Sequence, residues 1–319
     1  MPTSKLSPFV TKKTLELEIH DHCNLNCITC ARVHFKRTGS KLKIEDIASI
    51  IKEHNYERVQ LMGSRSEPIL YPQFKELLLW FFDNNIEVEL YTNGTLSPKF
   101  WEDINNITPL GKLIINWGLA GNNEEDHKFY RQNSLTKVLE NVKAIPNAIN
   151  VGLFIMFDYN TKGYNNPVTD EDILEIDKPI SKYFDGILYI HSGDHYLQND
   201  FKAQKVNKYI IPDTKYHCMG DNVNFLSMYG KLYHCKYQYE AREYQKLPYV
   251  CNAHYKEDDV IDERICEDNC KINFHKRIKD KFVFAGKIIF QREFNESRGF
   301  NIEYFLKLKE IREKINGSL

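Results

Sequence analysis

No run of apolar residues in this 319-residue chain approaches the roughly 18 that a membrane-spanning helix requires. The opening MPTSKLSPFVTKK also lacks the apolar core of a secretory signal. Neither sign of charge predominates: 43 Lys+Arg stand against 44 Asp+Glu, so no strong net field draws the chain to nucleic acid or to an anionic membrane. Internal repeats, charge blocks and low-complexity tracts are missing. A hydrophobic share of 42% with only 15 Gly and 11 Pro excludes disordered and collagen-like chains. Together these absences predict a cytoplasmic globular protein with material for about two domains.

What is present is an alternation. Short β-branched or aromatic runs, Thr14 to Ile19, Arg58 to Met62, Ile86 to Tyr91, Lys112 to Trp117, Asn150 to Phe157 and Gly186 to His191, read as strands of successive βα units. Between them, Ile44, Ile47, Ile50 and Ile51 share one helical face, as do Phe74, Leu77, Leu78 and Phe81. Ser97 and Pro98 form an N-cap with a first-turn proline. Right-handed crossovers of this kind curl a parallel sheet into an open or closed α/β barrel whose site lies in the loops at the carboxyl ends of the strands. The pattern breaks near residue 192, and we expect a barrel over residues 1–210 and a second unit over 211–319, ending in an amphipathic helix from Asn301 to Ile315.

Eight cysteines in a reducing compartment point to metal or catalysis rather than disulfides. Three of them, Cys23, Cys27 and Cys30, fall in HDHCNLNCITC directly after the first strand. Three close thiolates suit a metal. Zinc would need a fourth ligand, which His20 or His22 offers; a cubane iron–sulfur cluster held by only three thiolates leaves one iron open.

At these residues the sequence resembles the radical S-adenosylmethionine (radical SAM) superfamily, whose CxxxCxxC signature follows the first strand of a partial (β/α)6 TIM-like barrel. The resemblance implies that Cys23, Cys27 and Cys30 ligate a 4Fe-4S cluster whose open iron chelates SAM. One electron, from a donor such as flavodoxin or ferredoxin, then cleaves SAM to methionine and a 5′-deoxyadenosyl radical that abstracts a substrate hydrogen. Thr29 stands where the family usually has an aromatic residue.

Further motifs follow the strand ends. MGSRSEP resembles the family's GGEP segment, with Ser66 for the second glycine, and implies that Ser64, Arg65, Ser66 and Glu67 surround the methionine ammonium. Thr92, Asn93 and Gly94 are ordinary turn chemistry that also matches the family's common TNG, and the resemblance implies that Thr92 and Asn93 belong to the same cofactor site. INWGLAGNNEEDHKFYR is similar to the SxDG…HDxxR stretch of peptide-modifying members and makes Arg131 the candidate for the SAM carboxylate, with Gly118 and Ala120 in place of the family's serine and aspartate. Asp158, Asn160 and His191 also stand at strand ends, and the histidine reads as structural.

In the second unit, Cys218 and Cys235 bracket a hairpin turning at MYGK, and Cys266 and Cys270 stand at i and i+4. Two such pairs make a four-thiolate site for zinc or for iron and sulfur alike. Cys218, Gly230 and Cys235 fit the C(x9–15)Gx4C opening of the SPASM extension, and the cysteine count suits its shortened, Twitch-type version. The resemblance thus implies one auxiliary 4Fe-4S cluster on Cys218, Cys235, Cys266 and Cys270. Cys251 remains over: a swapped ligand, an inert buried thiol, or a hydrogen-atom donor that quenches a substrate radical.

The expected substrate is a small molecule such as a sugar or nucleotide, or a peptide recognised by the barrel itself. Only 13 residues precede the first strand, too few for a leader-peptide module of roughly 80 residues. The rival from another class is a non-enzymatic protein with two structural zinc sites.

Overall fold

The computed structural model describes residues 12–27, 30, 37–63, 66–156, 169–191, 223–233, 280–284, 287–292 and 310. Ser64, Arg65, Asp158, Asn160, Cys218, Cys235, Cys251, Cys266 and Cys270 lie outside them, as does the expected terminal helix apart from Glu310, which is helical.

Six parallel strands form the centre: β1 (Thr14–Leu17), β2 (Arg58–Leu61), β3 (Glu87–Thr92), β4 (Leu113–Leu119), β5 (Ile149–Met156) and β6 (Gly186–His191), paired in chain order. Each falls within two residues of its sequence-based bounds. The connecting helices are α1 (Ile44–His54), α2 (Phe74–Asp83), α3 (Pro98–Ile107), the pair α4 (Glu124–Arg131) and α5 (Leu135–Lys143), and α6 (Asp170–Asp177). The result is an α/β fold on a mostly parallel sheet, as the alternation predicts.

The elements form for local reasons. Ser97 caps α3 by accepting from the Phe100 N–H, with Pro98 in the first turn. Asn123 and Ser134 cap α4 and α5 likewise, and Thr169 with Asp172 makes a reciprocal capping box on α6. Leu15, Leu17, Val59, Leu61, Val88, Leu90, Leu113 and Ile115 alternate along the strands and pack with Ile47 and Ile51 of α1 and Phe74, Leu77, Leu78 and Phe81 of α2. Each such buried side chain contributes roughly 1.5–3 kcal/mol of transfer free energy.

The opposite face of the same strands is polar yet buried. Glu16, Gln60 and Glu89 stand in register across β1, β2 and β3. The Glu89 carboxylate accepts from Gln60 at 2.8 Å, Tyr91 at 2.8 Å and Asn116 at 2.9 Å, and Arg58 pairs with Glu87 at 2.7 Å. An interior with this many carboxylates persists only because each described contact answers charge with charge or with a donor.

Four further strands extend both edges of the sheet. The expected hairpin at MYGK is β7 (Val223–Leu226) and β8 (Leu232–Tyr233), turning at Gly230 with φ +76°, and β7 runs parallel to β1. On the far edge β9 (Asp280–Phe284) pairs antiparallel with β6, and β10 (Lys287–Arg292) with β9. These last two strands were not anticipated from the sequence. The run DKFVFAGKIIFQR carries their signal, two apolar stretches around a small-residue turn.

No described helix is long and apolar enough to cross a membrane.

Candidate functional site

The loop after β1 is held from several sides. Leu42 N–H donates to the Ile19 carbonyl at 2.9 Å, and the Asp21 carboxylate accepts from the Thr38 hydroxyl at 2.8 Å and the Gly39 N–H at 2.9 Å. His20 is 4% exposed, and burial lowers its pKa, so the ring is neutral. Both its nitrogens are occupied: Nδ1 accepts from the His22 N–H at 3.1 Å, so Nε2 carries the proton and donates to the Glu67 carbonyl at 3.0 Å. His22 Nδ1 meets Arg37 at 3.0 Å. These bonds make His20 a strut of the loop rather than the fourth metal ligand a zinc reading would ask of it.

Cys23, Cys27 and Cys30 are half-buried along this loop. A turn with Cys30 N–H on the Cys27 carbonyl at 3.1 Å gathers the last two. Among the described residues, no three His, Cys, Asp or Glu side chains stand close enough together to hold a single metal ion.

Glu67 stands at the centre. Its backbone N–H donates to the His22 carbonyl at 2.8 Å, fastening the loop after β2 to the cysteine loop. Its buried carboxylate accepts from the Thr92 hydroxyl at 2.6 Å and from the Asn93 N–H at 2.7 Å. Burial pushes its pKa up to about 7, against the pull of the Thr92, Asn93 and Ile69 donors and the Arg131 charge. A buried carboxylate poised there gains most from a cation beside it. Next to it the Ser66 Oγ is buried and has no partner, an orphan polar atom facing the same turn. Gly63 permits this turn, since a Cβ there would come within 2.2 Å of that Oγ.

Arg131 ends α4. Its carbonyl accepts from the Cys27 thiol at 3.5 Å, and its guanidinium lies against Gly118 at the end of β4, where a Cβ would stand 2.7 Å from Nη2. The family's serine would not fit this arrangement unchanged. Gly94 has φ +67°, and a Cβ on it would come within 2.8 Å of the Trp117 ring, so the glycine of the TNG segment is required twice over.

The structure therefore brings Cys23, Cys27, Glu67, Thr92, Asn93 and Arg131, from four separate loops and helix ends, to one end of the sheet. Sequence reasoning missed Asn24, His127 and Asn133. Asn93 Nδ2 donates to Asn24 at 3.0 Å and to the Cys23 sulfur at 3.9 Å. Asn133 Nδ2 donates to the Asn93 carbonyl at 3.2 Å, while His127 bonds Asn133 Oδ1 at 2.9 Å. The signal for Asn24 and Asn133 was a cluster of asparagines at strand and helix ends, while His127 stands four residues before Arg131 within the stretch similar to HDxxR.

The residues fit the group that three thiols in one loop suggest. Sulfur donors, an amide N–H toward one of them, a buried carboxylate within reach of the Arg131 charge and an orphan hydroxyl suit a thiolate-bound cluster with an amino acid alongside.

Residues 17–176 match the sequence profile of the Radical SAM superfamily. A GTP 3′,8-cyclase of Petrotoga mobilis is 29% identical over 61% of this chain and 63% of its own length. An uncharacterized protein, MJ0804, of Methanocaldococcus jannaschii is 25% identical over 58% of both chains. The chain thus spans less than two thirds of these curated relatives. Among solved structures, Streptococcus suis SuiB bound to its precursor peptide SuiA aligns over 70% of this chain and 59% of its own, at a TM-score of 0.46 and 13% identity. With its signature thiols on the loop after β1 and half its length matched to the profile, the chain belongs to the radical SAM superfamily.

Proposed function

We propose that the chain is an enzyme that cleaves SAM reductively and abstracts a hydrogen atom from a small-molecule or peptide substrate. The observation that carries this is the buried Glu67 carboxylate, tied to the cysteine loop through His22 and to β3 through Thr92 and Asn93. Cys23, Cys27 and Cys30 hold a 4Fe-4S cluster, which when bound supplies the electron for SAM cleavage. Glu67 and Ser66 receive the methionine ammonium, and Arg131 grips the carboxylate. Ser64, Arg65, Thr92 and Asn93 complete the cofactor site; Thr92 acts by orienting Glu67. The sheet curves as a partial barrel around the substrate.

We further propose that Cys218, Cys235, Cys266 and Cys270 hold one auxiliary cluster in a Twitch-type unit spanning residues 211–319, with a flavodoxin or ferredoxin as electron donor and the cytoplasm as its location. Cys251 is the candidate hydrogen donor. The stretch similar to peptide-modifying members keeps a peptide among the substrates, and the cyclase relative keeps a nucleotide.

The test is direct. Anaerobically reconstituted protein, reduced with dithionite, releases 5′-deoxyadenosine from SAM, and Cys27→Ala does not. Stoichiometric zinc in place of iron and sulfide, or undiminished cleavage by the variant, refutes the assignment.

A further inference from the structure

His127 and Asn133 form a line of hydrogen bonds that begins in the interior of α4 and ends on the main-chain carbonyl of Asn93, whose side chain in turn reaches a cysteine sulfur. His127 is fully buried, and burial together with the Arg131 charge lowers its pKa to about 4. It is therefore neutral at physiological pH and carries one ring proton. Asn133 fixes where that proton sits. Its Nδ2 donates to the Asn93 carbonyl at 3.2 Å, so its Oδ1 must accept, and His127 Nε2 is the donor at 2.9 Å.

The Asn93 side chain is oriented by the same reasoning. Its Oδ1 accepts from the Thr95 N–H at 3.1 Å and the Thr95 hydroxyl at 2.8 Å, so the amide cannot turn over without losing both. Its Nδ2 therefore faces the cysteine loop, where one N–H meets Asn24 Oδ1 at 3.0 Å and the other the Cys23 Sγ at 3.9 Å. Asn24 is held in turn, donating to the Thr95 hydroxyl at 2.7 Å. Asn93 is 6% exposed, so water does not compete for its amide.

We propose that Asn93 tunes the reduction potential of the cluster on Cys23, Cys27 and Cys30 by donating an N–H to the Cys23 sulfur, and that Asn133 is the positioning residue that sets its backbone for this. The inference rests on the cluster assignment above and adds to it. Reduction adds negative charge that the thiolates share, so an N–H aimed at a ligand sulfur stabilises the reduced state more than the oxidised one and raises the potential. The cost of delivering an electron to this cluster is then set in part by the residue that follows β3, outside the signature loop. Because Asn133 and His127 come from the segment that also bears Arg131, the potential and the grip on SAM share one support.

The experiment is an EPR-monitored redox titration of the SAM-free cluster in protein with the auxiliary cysteines intact. Asn93→Asp keeps the acceptor for Thr95 and replaces the N–H donor with an anionic oxygen; its midpoint should fall below that of the wild type. Asn93→Ala should fall by less, and Asn133→Leu should shift the same way by less still. Midpoints of Asn93→Ala and Asn93→Asp equal to that of the wild type would overturn the proposal. Should a variant fail to hold the cluster, pulsed EPR of the reduced wild type after exchange into D2O decides: a coupled deuteron assignable to a side-chain amide supports the bond, and a spectrum without one sinks it. Wild-type protein that assembles no cluster would instead defeat the parent assignment, a result distinct from a cluster whose potential ignores Asn93.

Discussion

The Thr92 hydroxyl donates to Glu67 Oε1 at 2.6 Å, joining the end of β3 to the loop after β2 through two buried side chains. The carboxylate it serves is ionised at a cost, because burial outweighs its donors and raises the pKa to about 7. The sign follows from the two states. In the unfolded chain the group ionises near 4.5, so between that value and about 7 the native state holds more protons, and stability falls as pH rises through this window. Glu67→Gln removes that pH dependence but offers one acceptor oxygen where the carboxylate offers two, one to Thr92 and one to the Asn93 N–H. In SAM-free protein the stability of the variant relative to the wild type should therefore rise by up to about 3 kcal/mol between pH 4.5 and pH 8, on top of a constant loss from the missing acceptor. Urea denaturation at several pH values checks this, and the same variant should bind SAM at least about tenfold more weakly.

Gly118→Ser places a Cβ 2.7 Å from Arg131 Nη2, the far end of a flexible side chain, so the guanidinium moves and the fold does not. Melting temperature should change little, by the equivalent of less than about 1 kcal/mol. SAM affinity should drop roughly tenfold through loss of the charged contact, as read by calorimetry.

Arg58, 1% exposed, pairs with Glu87 and stands 4.0 Å from the fully buried Glu89. Arg58→Ala leaves Glu89 without its neighbouring cation and Glu87 with Lys12 alone, and should destabilise by about 3–5 kcal/mol at neutral pH. Burial raises the pKa of Glu87, but Lys12 and Arg58 more than reverse this and hold it below the ordinary value. Its contribution is thus present at neutral pH and lost on acidification, so the difference between wild type and variant should shrink in acid.

Gly94→Ala combines a left-handed backbone with a 2.8 Å approach to Trp117. A loss of roughly 1–3 kcal/mol is expected, detectable by thermal unfolding, together with a weakened Asn141 contact to the Gly94 carbonyl, now 2.6 Å.

The parallel core was legible because its strands advertise themselves. A run such as Leu113 to Trp117 is too short and too apolar for an amphipathic helix, and Ile47 and Ile51 fall on the buried stripe that their spacing predicts. Cys23, Cys27 and Cys30 were legible for the same reason, since chemistry and spacing lie within eight residues. The supports of the site were not. Asn93 reaches Cys23 across 70 positions and Asn133 reaches Asn93 across 40, distances that only the crossover topology closes. An asparagine in isolation offers the same donors and acceptors wherever it sits, so nothing local told these from ordinary turn residues. His20 could be read as a ligand until both ring nitrogens were seen to be spent within the loop.

Because Val223–Leu226 lies alongside Thr14–Leu17, β1 waits for more than two hundred further residues to leave the ribosome before β7 covers its outer edge. Until then a row of bare amides and carbonyls is available to any passing chain, and a nascent or truncated product ending before Val223 carries that adhesive margin permanently. Synthesis speed and chaperone supply thus become determinants of yield for this protein, independent of how stable the finished molecule is.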